Sequence, residues 1–216
     1  DMGAESPTTF NPGGYEFSHS VTNFDLSKSL GMITLGLGSE FRFENFVALA
    51  GEEASYFGGG AQSFPGIQPQ NAVDVNRQNF GFYMDLGADV TEDLYAGVAA
   101  RSEEYSDFGS SFTWKAAARF KTMDDRLSLR ASMSTGFRAP SLHQIYMSNI
   151  QTLISGGTVS NQGTFNNHSP VIRSLGVDKL KEENATNTTF GVALKPMDGL
   201  DLSLDVYDVT VDDRIV

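Results

Sequence analysis

Apolar and polar residues alternate along most of this chain, with a period of two. The stretch Ile33–Leu49, ITLGLGSEFRFENFVAL, places Ile33, Leu35, Leu37, Phe41, Phe43, Val47 and Leu49 on one parity. Thr34, Gly36, Gly38, Glu40, Arg42 and Glu44 take the other. Successive side chains of an extended strand point to opposite faces, so each such stretch predicts a strand with one oily and one wet side. The same split recurs in Val75–Val90, Leu94–Tyr105, Phe112–Lys121 and Leu127–Arg138. It returns about Glu182–Lys195 and Leu200–Val211, and a weaker example precedes them about Tyr15–Lys28. Together they predict roughly eight strands, and no segment reads as a helix.

The predicted connections alternate in length. Leu30-Gly31, Thr91-Glu92-Asp93, Asp124-Asp125 and Asp198-Gly199 are tight turns. Between them come Phe57–Asp74, the shorter Ser106–Ser111 and the long Ala139–Lys181. Short and long links therefore fall on opposite ends of an up-and-down antiparallel meander, the asymmetry of an outer-membrane barrel. A soluble antiparallel sandwich also alternates. Two features weigh against it. Both charge signs lie deep within the strands on the polar parity, while the apolar parity is nearly free of charge, as a lipid-facing wall requires. Aromatics gather toward the long-link ends, at Phe80, Phe82, Phe112, Trp114, Phe137 and Phe190, where an interfacial girdle belongs. Eight strands close a barrel just wide enough to be filled by side chains, so the long charged residues and oversized link predict a segment of a wider barrel.

Composition narrows the classes. The chain has 216 residues, 40 % of them hydrophobic and 19 % charged, which excludes a disordered chain and a helical membrane bundle. No apolar run approaches the ~20 residues of a spanning helix. A formal net charge of −12 argues against nucleic acid as a partner. The absence of cysteine excludes a disulfide framework and a thiolate metal site. Starting at Asp1 without a signal peptide, and stopping at DDRIV after a strand-like run, the chain reads as a fragment.

The order of motifs is more specific. GSEFRFENFVALAGEEASYFGGG, FPGIQP, RQNFGFYMDL, AARSEEYSDFGSSFTWKAAARF, LSLRASMSTGFRAPSLHQIY and LKEENATNTTFGVAL followed by LDLSLDVYDVTVDDRI resemble the barrel of TonB-dependent outer-membrane receptors. Arg101–Tyr146 is the most telling part, and the resemblance covers roughly Ile33 to Val216. It implies a wide, roughly 22-stranded barrel of the plugged transporter class, with residues 1–216 as a partial barrel. Neither the plug domain with its TonB box nor the barrel-closing strand is visible in these residues. The resemblance further implies uptake of a scarce nutrient (siderophore-iron, cobalamin or similar) across the bacterial outer membrane. Its partners would be the TonB energy-transducing complex, a small ligand such as a metal chelate, and the lipid bilayer. A passive porin-like barrel and a soluble carbohydrate-binding β domain are the alternatives.

No enzyme is expected, since neither a nucleophile elbow nor a histidine metal motif occurs, and no cofactor or metal is expected either. His19, His143 and His168 are widely spaced, and the last two share the long link. Contact with a metal chelate there competes with the plainer reading of solvated loop histidines. Gly58–Gly60 lacks a following lysine and helix and reads as a flexible loop. The polar parity carries a candidate charge network of Glu40, Arg42, Glu44, Arg77, Asp85, Arg119 and Arg130. Its ordinary role is cross-strand pairing, joined by bonds to a plug. Arg138 projects inward where Ala139-Pro140 ends the ladder, because proline lacks a donor, and Phe137 faces outward. Arg101 and Arg138, nearest the rim, are candidates for attracting an anionic ligand, with His143 and Tyr146 beside them in the connection.

Overall fold

The computed structural model describes residues 7–56 and 65–215, apart from the side chains of 151–155 and 159–161. Ten strands follow in chain order: β1 Gly13–Leu30, β2 Ile33–Ala50, β3 Val73–Asp89, β4 Leu94–Tyr105, β5 Gly109–Thr122, β6 Leu127–Arg138, β7 Asn149–Ser155, β8 Thr158–Thr164, β9 Glu183–Met197 and β10 Leu200–Asp212. Eight of them form one sheet in the order β1-β2-β3-β4-β5-β6-β9-β10, and among the described residues β7 and β8 form a separate two-stranded sheet. The architecture is the antiparallel meander that the alternation predicts. It is an open sheet, with β1 and β10 at its edges.

Register follows from the tight turns. β4 and β5 pair without a slip from Leu94 opposite Phe120 to Tyr105 opposite Gly109. β6 and β9 pair without a slip from Leu127 opposite Leu194 to Arg138 opposite Glu183. The β5–β6 turn holds Asp124 and Asp125 at φ of 53° and 65°, a left-handed conformation that a short polar side chain tolerates. In the β3–β4 turn the Thr91 hydroxyl accepts from the backbone of Asp93 and Leu94.

Accessibility along β3 repeats the parity of the sequence, whereas the edge strand β10 is exposed at every position. In β3, Phe80, Phe82, Met84 and Leu86 are exposed while Arg77, Asn79, Gly81 and Gly87 between and beside them are buried. Val98, Phe112, Phe190 and Leu204 keep 54 %, 64 %, 52 % and 67 % of their surface open. A sandwich would cover these rows with a second sheet, and none lies over them among the described residues. So much contiguous apolar surface is not stable in water and marks a face made for another solvent. Phe137 is half-buried and stands edge-on to Tyr105, with ring centroids 6.0 Å apart.

The chain divides into two compact units: Asp1–Ser20, Phe43–Arg77 and Pro140–Leu180 form the first; Val21–Arg42, Gln78–Ala139 and Lys181–Val216 form the second. The expectation that no segment is helical is corrected here. The 139–182 connection carries α1, Leu142–Tyr146, and α2, Pro170–Ser174, as well as the β7–β8 hairpin. Local capping builds both helices. Ser141 Oγ accepts from the Gln144 amide while Gln144 Oε1 accepts from the Ser141 amide, a reciprocal box at the start of α1. Ser169 caps α2, with Pro170 in the first turn, where its missing N–H costs nothing. The expected loop at Gly58–Gly60 lies outside the described residues.

Candidate functional site

In the second unit, the inward parity carries ion pairs laid both along single strands and across neighbouring ones. Arg101, on β4, donates through Nε to Glu103 at 2.5 Å and lies 3.4 Å from Glu40. Glu40 also receives Arg42 Nη2 at 2.9 Å. Glu103, almost fully buried, is further held by the Tyr105 hydroxyl at 2.8 Å and the Asn79 amide at 3.1 Å. Arg138, last in β6, grips Glu183, first in β9, with two hydrogen bonds of 2.9 and 2.6 Å. Arg130 makes the same two-pronged contact with Asp205 of β10. Arg119 lies directly opposite Arg130 in register, and its guanidinium stands 5.5 Å over the Tyr95 ring.

These bridges need room beneath them. Arg130 and Asp205 sit two strands apart and meet over Gly191, where a Cβ would collide with both. The Tyr83 hydroxyl reaches Asp25 at 2.7 Å over Gly38 in the same way. A depression of about 540 Å³ next to Tyr83 includes Asp85, Ala99, Arg101 and Lys115 in its lining. Asp85 and Lys115 both pair with Ala99, so opposite charges flank a small side chain.

The first unit is built differently. At the ends of β2 and β3 next to the long connections, the polar parity turns apolar: Phe46 and Ala48 follow Glu44, and Val73 and Val75 precede Arg77. These side chains receive Leu142 of α1, which is 1 % exposed, in a small core that also takes in Tyr146. This change of character along one parity was the signal in the sequence for a docked connection. Arg77 is buried beside that core. Its Nε and Nη2 donate to Glu44 Oε2 at 2.7 and 2.5 Å, and its Nη1 donates to the Pro140 carbonyl at 2.6 Å. The break after Arg138 is therefore held as well as made.

His143 stands edge-on to Phe46 and Tyr15, with ring centroids 5.9 and 6.5 Å away, and Phe46 and Tyr15 stack on each other at 6.0 Å. Tyr146 meets His168 at 5.4 Å. Asn71, which the sequence reading missed, clamps the start of β7: its amide donates to the Ile150 carbonyl at 3.0 Å and its oxygen accepts from the Ile150 amide at 3.2 Å. Of the four candidate ligand residues, His143 and Tyr146 thus belong to the first unit, while Arg101 and Arg138 belong to the second. Among the described residues, no group of three or more histidines and carboxylates gathers to hold a metal ion.

The comparisons fit this arrangement. Residues 3–216 match the family described as TonB dependent receptor-like, beta-barrel. No curated protein matches the chain in sequence. Among solved structures, the ferric enterobactin receptor PfeA of Pseudomonas aeruginosa superimposes with a TM-score of 0.64 at 16 % identity, over 91 % of this chain and 27 % of that one. The siderophore receptor PirA of Acinetobacter baumannii gives 0.61 at 16 % identity, over 93 % and 27 %. The copper transporter OprC gives 0.61 at 13 % identity, over 91 % and 30 %. The chain spans less than a third of the length of these structures, and at such identities the likeness establishes the fold. With the family matched along almost its whole length, the charged inner parity and the open apolar face have one explanation: the chain belongs to the TonB-dependent receptor β-barrel family and is a stretch of wall in the bacterial outer membrane.

Proposed function

We propose that the chain forms part of the wall of a receptor that takes up a scarce nutrient, with TonB acting through a plug domain to drive passage. The ligand class is a small metal chelate such as siderophore-iron, or a comparable molecule such as cobalamin. The observation that carries this reading is the folded connection between β6 and β9. It is docked on the inner parity of β2 and β3 and leaves His143 exposed and half of Tyr15 open. A connection with its own helices, hairpin and core is more than a passive pore needs to join two strands. The family match likewise does not favour the porin-like and carbohydrate-binding alternatives.

Within this reading, His143 and Tyr146 are the residues that meet the ligand. Arg101 and Arg138 serve the wall first, because carboxylates already occupy their guanidinium groups and reduce the charge they offer an anion. The test uses the full-length receptor in a bacterium stripped of its own iron receptors, with a ferric tris-catecholate, a ferric hydroxamate and cobalamin as separate probes. Uptake of one probe that disappears when TonB is deleted supports the proposal. Uptake that persists without TonB identifies a passive pore instead.

A further inference from the structure

Long external connections of a barrel are ordinarily taken as mobile, and one that carries ligand-facing rings invites description as a lid. Four contacts in the first unit argue otherwise. Leu142 is almost wholly buried among Phe46, Ala48, Val73 and Val75. The Arg77 fork is divided between Glu44 and the Pro140 carbonyl, so the strand pair and the start of the connection share one buried cation. Asn71 is 4 % exposed and spends both its donor and its acceptor on the Ile150 backbone. The far side of the connection is tied back to α1, as the Asn167 amide donates to the Ile145 carbonyl at 3.0 Å and Asn166 donates to Ser148 at 2.8 Å.

A lid that swung open would break the first three of these contacts together, while the bonds from Asn166 and Asn167 lie within the connection and keep it in one piece. Such an opening would uncover Leu142, strip Arg77 of an acceptor and leave the Asn71 amide without either partner. Buried polar groups that lose their partners are costly, and here the losses fall in one step. We infer that Arg77 and Asn71 are positioning residues that fix the 140–180 connection as a permanent part of the inner surface, so that His143 is presented to ligand from a rigid mount. This rests on the receptor reading for its meaning but not for its measurement.

Residues 1–216 contain no cysteine, so once any thiol elsewhere in the full-length receptor is replaced by serine, a single introduced one reports its own surroundings. Ala48→Cys adds one sulfur atom under α1, where Ala48 is 4 % exposed. Leu175→Cys places one at a position of the same connection that is 72 % exposed. In outer-membrane vesicles holding the full-length receptor without ligand, a membrane-impermeant maleimide is expected to modify the thiol at 48 on the order of 100-fold more slowly than that at 175, the protection of a closed local structure. Adding Arg77→Met, Arg77→Lys or Asn71→Ala is expected to bring the rate at 48 at least tenfold closer to that at 175. The lysine variant matters because it keeps the charge but lacks the fork. An unchanged heat-modified gel band confirms that each barrel is assembled. Comparable rates at 48 and 175 in the otherwise unaltered receptor would mean an opening lid and overturn the inference. So would protection at 48 that survives all three substitutions. The measurement needs no ligand, so a receptor that transports none of the probes leaves this result standing.

Discussion

Arg130 and Asp205 hold each other across an intervening strand, with hydrogen bonds of 2.9 and 2.6 Å passing over Gly191. The glycine is as much a part of this bridge as the charges are. Any Cβ at 191 would occupy the space where the guanidinium and carboxylate meet. Gly191→Ala is therefore expected to break the bridge and lower the temperature at which the full-length barrel converts to its unfolded form on a gel. Gly136→Ala is the matched control, since nothing lies within 4 Å of the position its Cβ would take. Equal shifts in the two variants would show that the cost lies in the strand backbone and not in the bridge.

The open apolar rows give a second prediction. Val98 is 54 % exposed on the outward parity of β4, while Ser132 lies on the inward parity of β6 between Ala117 and Thr189. An arginine facing hydrocarbon costs about 2–4 kcal/mol near the midplane, and one facing a wet interior costs little. Val98→Arg is expected to reduce the amount of folded receptor in the outer membrane sharply, and Ser132→Arg to leave it close to normal. Quantitative blotting of folded and unfolded bands reads the difference. Gly97 is an unsuitable inward control despite its parity, because a Cβ there would lie 3.0 Å from the Tyr95 hydroxyl.

All eight wall strands were legible from alternation, and Leu94–Tyr105 and Leu127–Arg138 coincide with β4 and β6 to the residue. Strand periodicity is a local property repeated over a dozen positions, and lipid on one side enforces it. The long connection was not legible in the same way. Its helices are five residues long, too short to display a helical period, and they form through capping. The Ser141-x-x-Gln144 spacing was a readable sign of the first. The docking of Leu142 beside Phe46 joins residues almost a hundred positions apart, and only the turn from polar to apolar at Phe46 and Ala48 hinted at it. The Asn71 clamp on the Ile150 backbone carried no sequence pattern, because a backbone partner leaves no residue type to recognise.

The hairpin β7–β8 tests whether ligand capture and wall assembly are separable. Thr152 pairs with Asn161, and the Asn71 clamp holds the hairpin just before that pair, at Ile150. Replacing 152–161 with a two-residue turn shortens the hairpin and keeps the clamp. Under the proposed function, the receptor is expected to assemble at normal levels and to take up its nutrient more slowly, as cell-associated labelled iron or cobalamin would show. Undiminished uptake would remove the hairpin tip from the ligand path.

The capping box at Ser141 and Gln144 gives the sharpest local prediction. Ser141 supplies an acceptor for an amide at the start of α1 that has no partner within the helix. Removing such a cap costs about 1 kcal/mol in typical helices. Truncating the neighbouring Leu142 to alanine costs about 2–5 kcal/mol where a buried leucine leaves a cavity. Both changes act on the connection, whereas the strands on either side are held by their own ladders, so the loss is expected to appear as local opening. Protease added to intact cells should cleave Ser141→Ala receptor within 139–182 faster than the native protein, and Leu142→Ala receptor faster still. The cleaved barrels should keep their heat-modified migration, because the ladders from β3 to β6 and from β6 to β10 lie outside this stretch. Loss of the folded barrel in step with cleavage would mean that the connection supports the wall it is docked upon, and that the two do not open independently.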